Sequence, residues 1–158
     1  MYRQGWRVII ALVLLGMLSA CGGPAPPPPP AVVQLSVVAA LDINPDASRR
    51  PTPVLVRVFQ LISPNKFERA DFFQMADNEQ AALGSDALGK YGIIISPGQT
   101  RHLTINMKHD ATVLGVAASF RDIDKARWRG DIAVPSTGTV AVTVAIHGLT
   151  LNVTKSGP

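Results

Sequence analysis

Val140-Ala-Val-Thr-Val-Ala-Ile146 places a large branched side chain at every second position and small or hydroxylated ones between. A period of two puts Val140, Val142, Val144 and Ile146 on one face of an extended chain, and β-branched residues suit that backbone because their χ1 freedom is already restricted. The same rhythm continues on both sides of this run. Val33, Leu35, Val37, Ala39 and Leu41 share a face, Val54, Val56 and Val58 oppose Arg57 within Val54–Leu61, and both segments read as half-buried strands. Leu103, Ile105 and Met107 alternate with His102, Thr104, Asn106 and Lys108, while Leu114, Val116, Ala118 and Phe120 form a further set. Leu149, Leu151 and Val153 make the last strand; Tyr91–Ile95 and Gly130–Val134 are two more, closed by Pro97-Gly98 and Pro135. About eight short strands separated by turn signals predict a mainly β fold, an antiparallel β-sandwich.

One segment departs from this period. Residues 67–88 hold few β-branched residues, are rich in Ala, Gln, Glu and Asp, and space Phe67, Phe72, Phe73, Met75 and Leu83 irregularly. They predict a small helical insertion between the second and third strands, capped at Asp71 and at Asp77, the latter with Gln80 three residues on. Its aromatics are expected to pack against a sheet edge.

The amino-terminal end has a different logic. Arg3 and Arg7 precede an uncharged apolar run from Val8 to Leu18, and the small Ser19 and Ala20 lead to Cys21. This is the layout of a secretory signal, too short to span a ~30 Å hydrocarbon core, with a cysteine where the mature chain would begin. It resembles a bacterial lipobox, which implies lipidation at Cys21. Cys21 is the only cysteine, so no intrachain disulfide can form. Gly22, rather than an acidic residue, follows Cys21 and by analogy favours the outer membrane. The run GGPAPPPPP, residues 22–30, should extend as polyproline II over roughly 25 to 30 Å. The chain therefore divides into a signal peptide at 1–20, a lipidated Cys21 with a Pro-rich linker to residue 30, and one domain at 31–158. Residues 1–20 hold two of the 15 basic residues and none of the 11 acidic ones, so the formal charge of +4 falls to +2 without them. That small excess gives no ground for a nucleic-acid partner.

Sites of chemistry are lacking. Asp42, Asn44 and Asp46 open like a calcium loop, but Ala47 stands at the turn glycine's position and Pro53 where a bidentate glutamate belongs. His102, His109 and His147 have no short metal-ligand spacing. No nucleophile elbow, zinc-protease helix or phosphate-cradling loop occurs. The expectation is a protein that is not an enzyme and needs no metal, cofactor or small-molecule substrate.

What remains unusual is DINPDASRRPTP, Asp42–Pro53. Two residues would join neighbouring strands, whereas here twelve do so, stiffened by three prolines and carrying Arg49 and Arg50. A stiff loop on a rigid scaffold loses little entropy on association. Three ordered blocks, NPDASRRPTPVLVRVFQL (44–61), ADFFQM (70–75) and FRDIDKARWR (120–129), resemble the TssJ family, the outer-membrane lipoproteins of type VI secretion systems. The resemblance implies a transthyretin-like sandwich with a small helical addition and a non-catalytic role. That role is anchoring the secretion membrane complex, with its other subunits, to the outer membrane by binding the periplasmic C-terminal domain of the inner-membrane protein TssM. It also implies that the first interstrand loop is a principal contact, carried here by Asn44, Pro45, Asp46, Arg49 and Arg50, while Arg57 and Trp128 support the sandwich. Arg49 stands where the family pattern leads one to expect a small residue, often glycine. A different class of reading is a periplasmic ligand-binding or hydrolase-inhibitor lipoprotein on the same fold.

Overall fold

The computed structural model describes residues 26–156; the signal segment and Cys21 lie outside the described residues. The strands are β1 Val32–Ala39, β2 Val54–Leu61, β3 Ala87–Ile95, β4 Thr100–Asn106, β5 Val113–Ser119, β6 Arg129–Ala133, β7 Thr139–His147 and β8 Thr150–Lys155. They form two four-stranded sheets ordered β4-β1-β7-β8 and β3-β2-β5-β6. The expected eight-stranded sandwich is present, with one departure from antiparallel pairing: β1 runs parallel to β7.

Alternation fixes which residues meet between the sheets. Val33, Leu35 and Val37 of β1 and Val142, Val144 and Ile146 of β7 are buried against Val54, Val56 and Val58 of β2 and Leu114, Val116 and Ala118 of β5. The space between the sheets is thus filled by the side chains of both.

Leu41 departs from the face assigned to it. It is 77% exposed because β1 ends at Ala39, whose N–H bonds the Gln99 carbonyl, and the chain then turns, leaving Leu41 over Gly98. Ile43, two residues on, enters the core in its place. β2 is also not half-buried: Phe59 and Leu61 on its outer face are as fully enclosed as the inner valines.

The cover over that outer face is the helical insertion: α1 Asn65–Arg69, α2 Phe72–Asp77 and α3 Glu79–Leu83. Phe67, Ala70, Met75 and Leu83 pack on Phe59, Leu61, Val113 and Ala117, so the insertion covers a sheet face rather than an edge. The centroids of Phe59 and Phe67 lie 5.8 Å apart in a tilted pair. Gly115 permits this approach, since a Cβ there would come within 2.8 Å of Leu61 and 3.2 Å of Phe67. Phe73, counted with the packing aromatics, is 62% exposed.

Asp71 caps α2 as expected, accepting the Gln74 N–H at 2.8 Å. The second cap is Asn78, which accepts the Ala81 N–H at 3.1 Å; Asp77 is instead the last residue of α2. A carboxamide and a carboxylate cap equally well, so composition leaves the two adjacent positions undecided. The insertion ends at a short 3₁₀ turn, Gly84–Asp86, and Leu88 belongs to β3.

Arg57 and Trp128 clamp the insertion to the sheet. Arg57 Nη1 donates to the Met75 carbonyl at 3.2 Å, and Trp128 meets Phe72 edge-on at 5.4 Å. Arg129 lies over the Trp128 ring at 4.7 Å and donates to the carbonyls of Phe67 and Ala70.

Candidate functional site

The loop from Asp42 to Pro53 is built around two buried residues. Ile43, its one aliphatic side chain, is fully buried between the sheets, and Asn44 is only 2% exposed. Asn44 sits at φ 49°, a left-handed conformation that asparagine tolerates better than most residues. Its side chain closes the loop on itself and on the sandwich. Nδ2 donates to the Pro53 carbonyl at 2.7 Å and to Thr52 Oγ1 at 3.0 Å, and Oδ1 accepts the Arg121 N–H at 2.8 Å. Its main chain is held as tightly: the Asn44 N–H reaches the Gly148 carbonyl at 2.8 Å, and the Asn44 carbonyl accepts Thr52 Oγ1 at 2.6 Å. Asp42, at the loop's start, accepts the Gly148 N–H at 3.2 Å.

Asn44 was expected among the contact residues, and the burial assigns it elsewhere. Its polar groups are satisfied within the fold, so it shapes the loop and offers no surface.

The tip is folded by Asp46. Oδ1 accepts the N–H groups of Ser48 and Arg50, both at 2.9 Å, and Oδ2 accepts Arg50 Nε at 2.9 Å and Nη2 at 2.8 Å. The backbone closes alongside, Arg49 N–H to Asp46 carbonyl at 2.8 Å and Asp46 N–H to Arg50 carbonyl at 2.9 Å. These donors, led by the Arg50 N–H, hold the Asp46 carboxyl below its ordinary range. A depressed carboxylate contributes order that is complete above the ordinary carboxylate range and is lost as pH falls through the lowered value. Acidification below the ordinary carboxylate range should therefore lower the protection of the Ser48 and Arg50 amides, relative to their intrinsic exchange rates at each pH, before strand amides respond; simultaneous loss would show that Asp46 does not organise the tip.

The surface presented is cationic. Arg50 is paired with Asp46, yet its side chain remains 78% exposed; Arg49 is exposed and forms no ion pair among the described residues. Arg121, tied to the loop through its N–H and through Nε to Thr52 Oγ1 at 3.1 Å, adds a third guanidinium at the base. Pro45 is half-buried beside them. Arg49 has φ 61°, which explains why a glycine fits this position: a side chain there carries backbone strain of order 1 kcal/mol. Among the described residues, no three His, Cys, Asp or Glu side chains are grouped to hold a metal ion.

Ile43, Thr52, Arg121 and Gly148 escaped the sequence reading. The signal for Ile43 was available, a lone aliphatic in a polar loop; Thr52 acts within the loop through its hydroxyl, and Arg121 and Gly148 act across long sequence separations that no local pattern carries.

The family model for type VI secretion lipoproteins (SciN, VasD, EvfM, TssJ) matches residues 31–149. Among solved structures, the type VI lipoprotein TssJ1 of Pseudomonas aeruginosa is 28% identical with a TM-score of 0.78, over 82% of this chain and 99% of that one. Serratia marcescens Lip, a membrane-bound component of the type VI secretion system, is 25% identical with a TM-score of 0.70, again over 82% and 99%. A chain in the structure described as the TssM C-terminal domain from EAEC is 26% identical with a TM-score of 0.63, over 78% and 97%. No curated protein sequence is significantly similar.

Proposed function

Because this chain belongs to the TssJ family of type VI secretion lipoproteins, we propose that its loop tip is the surface by which it binds the periplasmic C-terminal domain of a TssM-type inner-membrane protein. The protein is a structural lipoprotein of the type VI membrane complex and not an enzyme. Lipidation at Cys21 holds it in the outer membrane with the domain in the periplasm, and the proline run sets the distance between them. The observation that carries the reading is the loop itself. Ile43 and Asn44 fix its base and Asp46 fixes its tip, so Pro45, Arg49 and Arg50 are presented with little left to order on association.

The support from comparison is the likeness to chains in solved structures described as the TssM C-terminal domain and as a type VI membrane complex. The test is capture: the intact lipoprotein, drawn from detergent-solubilised membranes, should bring down the TssM-type protein. A partner-free precipitate from membranes known to contain that protein would end the proposal.

The anchor makes a separate prediction. Three acyl chains, as on a bacterial lipoprotein, bury far more than the single chain that binds only marginally at ~0.8 kcal/mol per CH₂. Cys21→Ser should therefore move the protein out of the outer-membrane fraction, into the soluble fraction or an uncleaved form, and prevent assembly. Unchanged outer-membrane sedimentation would refute lipidation at this position.

A further inference from the structure

The helical insertion carries a cleft of about 400 Å³ between α1 on one side and α2 and α3 on the other. Its polar lining is Asn65, Lys66, Arg69, Gln74 and Asn78, over small apolar residues that include Ala81 and Ala82. No carboxylate lines it. This is not a consequence of composition, since residues 65–86 contain five acidic side chains and only two basic ones.

The acids are placed elsewhere. Asp71 caps α2, Glu79 pairs with Lys90 at 3.0 Å, and Glu68 lies near Asp131, whose pKa is raised by burial first and by the Glu68 charge second. Asp86 approaches Lys66 Nζ at 3.1 Å from outside the lining, and Asp77 ends α2 away from it. Both cations of the segment, by contrast, face the same cleft. Lys66 is partly engaged by Asp86 and by the Leu83 carbonyl at 3.5 Å; Arg69 forms no ion pair or side-chain hydrogen bond among the described residues. The side-chain amides of Asn65 and Gln74 also make no bond there, and Asn78 uses only its Oδ1.

We propose that this cleft is a second docking site, which takes an extended acidic segment of a protein partner. The Arg69 fork suits a carboxylate bidentately, with Lys66 as a second positive charge. Carboxamides of Asn65, Gln74 and Asn78 offer both donors and acceptors, the combination a peptide backbone requires. A phosphate would use only the donors, whereas a peptide backbone uses the acceptor oxygens as well. The alanine floor leaves room for the peptide's own small side chains. The site is separate from the loop: the loop enters β2 at Val54, whereas α1 follows the other end of that strand at Leu61.

The test uses the full-length lipoprotein in non-ionic detergent and the labelled peptide acetyl-Gly-Asp-Glu-Val-Gly-amide, followed by fluorescence anisotropy. The acidic peptide should bind saturably and more tightly as salt is lowered, and its Asn/Gln counterpart should bind about tenfold more weakly. Arg69→Glu and, independently, Ala81→Trp, which fills the cleft from an exposed position, should each weaken binding about tenfold with unchanged melting. Arg49→Glu in the loop should leave peptide binding intact. Equal affinity for the neutral peptide, binding unaffected by either cleft variant, or loss with Arg49→Glu would each overturn the assignment. Saturation by inorganic phosphate with no binding of the peptide would also overturn it.

Discussion

Asn44→Ala should destabilise the domain by about 3 kcal/mol and lower its melting temperature by roughly 10 °C or more. The substitution strands the Pro53 carbonyl and the Arg121 N–H, both held in partly buried bonds by the Asn44 side chain, itself 2% exposed. Each partly buried group left unsatisfied costs about 1 kcal/mol, the low end of the range for such groups, and alanine at φ 49° adds strain of about 1 kcal/mol that asparagine largely avoids. Asn44→Gly separates the two effects. It relieves the backbone but loses the same hydrogen bonds, so it should melt between wild type and the alanine variant. An alanine variant that melts with wild type would show that the loop does not depend on this side chain.

The second large effect belongs to the tip. Replacing Asp46–Pro51 by a Gly/Ser segment of equal length, while keeping Ile43, Asn44 and Thr52, should weaken partner binding by about a hundredfold or more and leave the sandwich folded. Interfaces concentrate energy in a few residues, and this segment holds Arg49, Arg50 and the carboxylate that fixes their backbone. The fold should tolerate the exchange because the buried anchors lie outside the replaced residues. Charge has its own signature. Arg49→Glu should reduce association more at low salt than at high, since it reverses an exposed charge that no neighbour neutralises. Arg49→Gly, which removes the charge and the strain at φ 61° together, should bind better than Arg49→Glu and fold at least as stably as wild type.

Much of the fold was legible because burial imprints a period. Val140–Ile146 and Leu114–Phe120 face the core as alternation requires, and an insertion lacking β-branched residues is helical. The failures lie where a second layer or a turn intervenes. Phe59, Leu61, Val113 and Ala117 are buried on the outer face because helices cover them, and a period of two cannot signal burial on both faces. Leu41 keeps the rhythm of β1 after the strand has ended, since alternation has no marker for a strand's last residue. The parallel β1–β7 pairing is a matter of topology that local pattern does not encode. At the loop, prolines and paired arginines marked the segment, but side-chain type alone does not separate a surface asparagine from a buried staple. Asn44 is the staple, and two of its partners, Arg121 and Gly148, lie about 80 and 100 positions away.

The most direct measurement is calorimetric titration of the lipoprotein, wild type and with the Asp46–Pro51 exchange, against the partner's periplasmic C-terminal domain, with circular dichroism and melting recorded on the same preparations. The account predicts saturable binding by wild type and none by the exchanged protein at comparable concentrations, with matching spectra and similar melting. An exchanged protein that binds with unaltered affinity would contradict it, leaving the loop as a connector and the contact surface elsewhere on the domain.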